Sequence, residues 1–92
     1  MLFMITSRPR QDPTRKQLVE HLTRKLDPST WDLIRHGVLS HVLYKVGEEP
    51  GFFAVLQAES LWQAKIVVAA HQHPDTPFDI DIVPVNQFPH FD

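Results

Sequence analysis

The chain has 92 residues, nine of them Lys or Arg and eleven Asp or Glu, for a formal net charge of -2. No basic stripe is present to neutralise phosphates, which argues against a nucleic-acid partner. The absence of cysteine removes disulfides, thiolate nucleophiles and zinc–thiolate sites together. A single domain of this size buries only roughly 60–65% of its unfolded surface, so a partner subunit would usefully extend the core.

The opening Met1-Leu2-Phe3-Met4-Ile5-Thr6 is apolar but too short for a signal-peptide core or a membrane span. It reads as a strand over Leu2 to Ser7, stopped by Arg8-Pro9-Arg10. No run approaches 18 apolar residues, so the expectation is a cytoplasmic protein with no membrane partner. Asp12 before Pro13 signals a helix start, and Leu18, Val19, Leu22 and Leu26 recur at helical spacing opposite Arg15, Lys16, Glu20 and Arg24. Asp27-Pro28-Ser29 interrupts that helix, and a short second piece capped by Ser29 or Thr30 turns Trp31, Ile34 and Leu33 inward before Gly37.

From Gly37 to Ala58, two β-rich runs flank Gly47-Glu48-Glu49-Pro50-Gly51, the pattern of a hairpin. Strict alternation puts Val38, Ser40, Val42, Tyr44 and Val46 on one face, and Leu39, His41, Leu43 and Lys45 on the other. The first face suits packed helices, and the second could line a polar pocket or a second subunit. Ser60 then caps a helix in which Leu61, Ala64, Val67 and Val68 share a face that Trp62 and Ile66 widen. That helix must end near His71. Phe78, Ile80 and Ile82 alternate with Asp79, Asp81 and Val83 in a last strand, which Pro84 marks as an edge or an end. The tail from Val85 to Asp92 has no period and would lie across a partner or over a pocket mouth.

The order strand, helix, strand, strand, helix, strand predicts an α+β ferredoxin-like βαββαβ sandwich with its helices on one sheet face, forming one domain over residues 1–92. A bare second face carrying Leu39 and Leu43 would cost solubility. A homodimer or larger homo-oligomer in which two sheets face one another removes that cost.

The start Met1-Leu2-Phe3, the run Gly37-Val38-Leu39-Ser40-His41-Val42-Leu43-Tyr44-Lys45-Val46-Gly47, the strand ending at Ala58 before Ser60-Leu61, and Phe78-Asp79-Ile80-Asp81-Ile82 resemble the muconolactone Δ-isomerase family. His41 matches the family's His, Lys45 a following Arg, Asp79 its Asp and Asp81 its Glu. The resemblance implies a dimeric α/β barrel and a proton shift in a small unsaturated lactone from aromatic-compound degradation, with no metal and no organic cofactor. The chain departs from the family pattern at Met4, at Ser40, where the family has Arg, and at Asp75-Thr76-Pro77.

Such a shift needs a base, a group to steady the enolate oxygen and exclusion of water. His41 suits the base, because imidazole titrates near working pH. Asp79 would orient it or act as base across the barrel. Lys45, about 13 Å along the strand, would hold a substrate carboxylate, with Asp81, Leu39 and Leu43 lining the site. The alternative is a non-catalytic dimeric barrel that binds a small aromatic or serves as an assembly module. In that case His41 is an interface histidine, Lys45 an edge charge, and Asp79 and Asp81 the wet side of an edge strand. His71, His73, Asp75 and His90 have the composition of a metal site without its spacing, and no metal is expected.

Overall fold

The computed structural model describes residues 1–24, 27–45, 49–72 and 75–86. Among these the chain forms β1 (Leu2–Pro9), α1 (Arg15–Leu22), α2 (Pro28–Arg35), β2 (Leu39–Lys45), β3 (Gly51–Gln57), α3 (Leu61–His71) and β4 (Phe78–Val85). The strands make one open antiparallel sheet in the order β2-β3-β1-β4. This α+β arrangement is compatible with a ferredoxin-like fold. The central pair β1 and β3 comes from the two halves of the chain, which explains why both are the apolar runs. No helix among the described residues is long and apolar enough to cross a membrane.

Local chemistry sets the helix starts. Thr14, rather than Asp12, caps α1: its hydroxyl accepts from Gln17 N while Gln17 Oε1 accepts from Thr14 N, a closed capping box. α1 ends at Leu22 with Thr23 as its C-cap, short of the Asp27-Pro28 break expected to stop it, and α2 has Asp27 rather than Ser29 or Thr30 at its N-cap, with Pro28 at its first position. Ser60 caps α3 as the pattern predicts, accepting from Gln63 N at 3.1 Å.

Register divides the sheet into two faces. Phe3, Ile5 and Ser7 on β1 lie across from Leu56 and Ala54 on β3 and from Pro84, Ile82 and Ile80 on β4. This face carries the core: Phe3, Leu56 and Phe78 are fully buried, joined by Ile5, Ala54, Ala58 and, from α3, Ala64. Leu18 of α1 is buried, and the rings of His21 and Phe52 pack on Phe78 at 5.7 and 5.8 Å between centroids. The other face carries Met4, Val55, Phe53 and Val83, and among the described residues no helix lies over it.

Two aromatic expectations fail. Trp31 is 46% exposed and Trp62 is 73% exposed, so neither points into the core. In α3, Ala64 makes the close sheet contact, and residues two places away along a helix are rotated by roughly 200°, which turns Trp62 and Ile66 outward. α2 buries no residue fully.

Candidate functional site

Strand β2 breaks the strict alternation expected of it. Leu39 and Ser40 pair with Leu56 and Val55, but Leu43, Tyr44 and Lys45 pair with Phe53, Phe52 and Gly51, so His41 and Val42 together oppose Ala54. This is a β-bulge, with one extra residue on the edge strand. His41 takes up the irregularity with φ 53°, the only positive φ outside glycine among the described residues. A non-glycine residue there pays in strain, and such strain concentrates at functional positions.

The bulge resets the faces. Leu39 falls on the helix side and packs half-buried against the core, whereas Leu43 falls on the open side and is 51% exposed. The two leucines therefore do not share a lining, as strict alternation had placed them. Tyr44 follows Leu39 to the helix side, where its hydroxyl donates to the Leu22 carbonyl at the end of α1. Val42 is exposed rather than packed under helices.

His41 is exposed in the single chain, and its Nδ1 lies 3.1 Å from Ser40 Oγ. Asp79 does not meet it. β2 and β4 are opposite edges of the sheet with β3 and β1 between them, a separation of about 14 Å at ordinary strand spacing. Lys45 pairs with Gly51, and its Nζ donates toward the Ser7 carbonyl at 3.4 Å.

Asp79 and Asp81 instead belong to a charge ladder on the open face. Arg8 holds Asp81 through two bonds, Nε to Oδ2 at 2.5 Å and Nη2 to Oδ1 at 3.1 Å, and Arg10 Nε donates to Asp79 Oδ1 at 3.1 Å. The hydrogen bond from Arg8 holds the Asp81 carboxyl below its ordinary range, and Asp81 in turn raises the Arg8 guanidinium. Sequence reasoning used Arg8 and Arg10 only as a strand stop. The matched spacing of Arg8-Pro9-Arg10 and Asp79-Ile80-Asp81 was the signal that could have paired them. Strict alternation puts Ser40 on the face meant for packed helices, whereas its pairing with Val55 puts it on the open face.

Surface depressions among the described residues lie elsewhere. One of about 500 Å³ is bounded by Arg8, Pro9, Arg15, Leu18, Glu49 and Pro50, and one of about 320 Å³ by Met1, Val38, Ala58 and Val67 among others. Neither takes in His41, Lys45, Asp79 or Asp81. Among the described residues no group of three or more His, Asp or Glu could hold a metal. His73 and His90 of the histidine-rich segments lie outside the described residues, as does the tail from Gln87 onward, and His71 Nδ1 sits 3.2 Å from Ser29 Oγ. Comparison with family models, with curated proteins and with solved structures found no match.

Proposed function

We propose that two copies of the chain pack open sheet face to open sheet face as a dimeric α/β barrel, and that the enclosed space takes a small unsaturated lactone or related acid. His41 removes a proton alpha or gamma to the carbonyl, the electron pair spreads into the conjugated enolate, and the imidazolium returns the proton to the other carbon. No redox change accompanies this shift. Lys45 supplies positive charge for a carboxylate at the far end of the site. Asp79 can serve His41 only across the two-fold axis, because within one chain it lies at the other edge of the sheet.

The observation that carries the reading is the left-handed His41 on a bulge beside an apolar face over which none of the described helices lies. Incubating the purified protein with muconolactone and following ultraviolet absorbance tests it. Turnover that is lost in His41→Ala is expected; no turnover, or turnover unchanged in that variant, counts against it.

A second reading, the non-catalytic assembly module, is favoured by the arginine pairing of Asp79 and Asp81. The hydrogen bond from Arg8 lowers the Asp81 carboxyl and makes it a poor proton acceptor, and Arg10 occupies an oxygen of Asp79. That reading predicts a dimer that shows ligand-induced spectral shifts without product.

A further inference from the structure

We propose that Ser40 is a positioning residue for His41, its Oγ accepting the Nδ1–H of the imidazole and so leaving the Nε2 lone pair directed outward as the proton acceptor. The proposal rests on the reading of His41 as a base and adds the group that selects its tautomer.

In a regular strand consecutive side chains point to opposite faces, and a residue cannot hydrogen-bond the side chain that follows it. Ser40 is in regular pairing with Val55 on the open face, whereas His41 is the first residue of the bulge, with φ 53°. The left-handed turn brings the ring back beside Ser40, at 3.1 Å from Nδ1 to Oγ. The extra residue in β2 therefore accomplishes something that alternation forbids, the meeting of two adjacent polar side chains at the open face.

The polarity of the bond follows from the proton cycle. A hydroxyl can donate to a neutral imidazole or accept from it, but an imidazolium carries N–H on both nitrogens and can only donate. If Ser40 donated to Nδ1, the bond would break each time His41 became charged. With Ser40 as acceptor, Nδ1–H stays bonded while Nε2 gains and loses the proton. Which ring nitrogen is protonated in the neutral form is then set by this second contact.

The test is nitrogen NMR of histidine-labelled protein without substrate, above the titration range of imidazole, with His41 assigned by its absence in His41→Ala. The neutral ring should be mainly Nδ1–H. Ser40→Ala should lower the ratio of Nδ1–H to Nε2–H by about fivefold, the worth of one ordinary hydrogen bond, and Ser40→Thr should restore it. Amide spectra of β1 and β3 serve as the control that both variants are folded. A ring that is mainly Nε2–H, a ratio unmoved in Ser40→Ala, or a Ser40→Thr variant that behaves like Ser40→Ala overturns the role. Because no substrate is present, an inert protein with a Ser40-dependent tautomer refutes only the proton shift. An active protein with a Ser40-independent tautomer refutes only the positioning.

Discussion

Arg8 Nε lies 2.5 Å from Asp81 Oδ2, although the residue opposite Arg8 in the β1–β4 register is Asp79. The pair is diagonal, and Arg10 reaches Asp79 with the same offset, so Arg8 on β1 and Arg10 just past its end each engage an aspartate on β4. The arrangement fastens the edge strand through its side chains beside the backbone ladder, and it neutralises carboxylates that would otherwise repel one another on one face.

Acid should loosen this clasp. The folded-state Asp81 carboxyl is lowered from its ordinary 3.8, chiefly by its hydrogen bond to Arg8. Its contribution is thus fully present above that value and is lost as pH falls through the lowered one. Both side chains are well exposed, at 63% and 41%, so the effect is small and screened by salt. Urea midpoints of the parent and Asp81→Asn should differ slightly at pH 7, and the gap should close in strong acid and in molar salt. A gap that persists at pH 2 would show that Asp81 acts through something other than its charge.

Replacing His41 separates backbone from chemistry. The left-handed conformation costs a side-chain-bearing residue about 1–2 kcal/mol relative to glycine. His41→Gly should therefore raise unfolding stability by about 1 kcal/mol, after allowance for the extra freedom of glycine in the unfolded chain. His41→Val, branched at Cβ, should lower it. Chemical denaturation of the three proteins checks the order; a destabilised glycine variant would mean that the imidazole itself holds the bulge together.

Ser7 and Gly51 form a second tightly fitted pair. Ser7 is fully buried and its Oγ accepts from Phe52 N at 2.8 Å, while a Cβ on Gly51 would lie 2.8 Å from that oxygen and 3.1 Å from Lys45 Cδ. Ser7→Ala leaves a donor without its partner and should cost about 1–3 kcal/mol in denaturant unfolding. Gly51→Ala should cost a similar amount by overpacking and should also displace Lys45 from the Ser7 carbonyl, visible as a shifted Lys45 resonance.

Much of the fold is legible in the sequence because its signals are local. Ser60 and the stop near His71 define α3, and the Phe78, Ile80, Ile82 alternation gives β4 with the correct buried side, since Phe78 is fully buried and Asp79 exposed. The strand runs on through Pro84, which an edge tolerates. The candidate site is less legible. A bulge is set by pairing with β3 and leaves no mark on the alternation of β2 alone, so alternation groups His41, Leu39 and Leu43 on one face that the structure divides. The partners of Asp79 and Asp81 are some 70 residues away, with separations of 69 and 73 positions, and only register brings them together. Trp31 and Trp62 are exposed despite their helical spacing, because apolar character implies a buried face only when some element covers it.

The open face supplies the last prediction. Met4 and Val83 are register neighbours on β1 and β4, 36% and 43% exposed, and Leu43 adds an apolar side chain at the opposite edge. If this face is where two copies meet, Val83→Asp buries an unpaired charge in the contact and should weaken association by at least about tenfold in sedimentation velocity. Ile66→Asp, on the outward side of α3 and 51% exposed, changes apolar character by the same amount on the other layer and should leave association unchanged. Equal weakening by both would assign assembly to more than the sheet. Weakening by Ile66→Asp alone would move the contact to the helices and leave His41 in solvent, where a proton-shift site has nothing to exclude water.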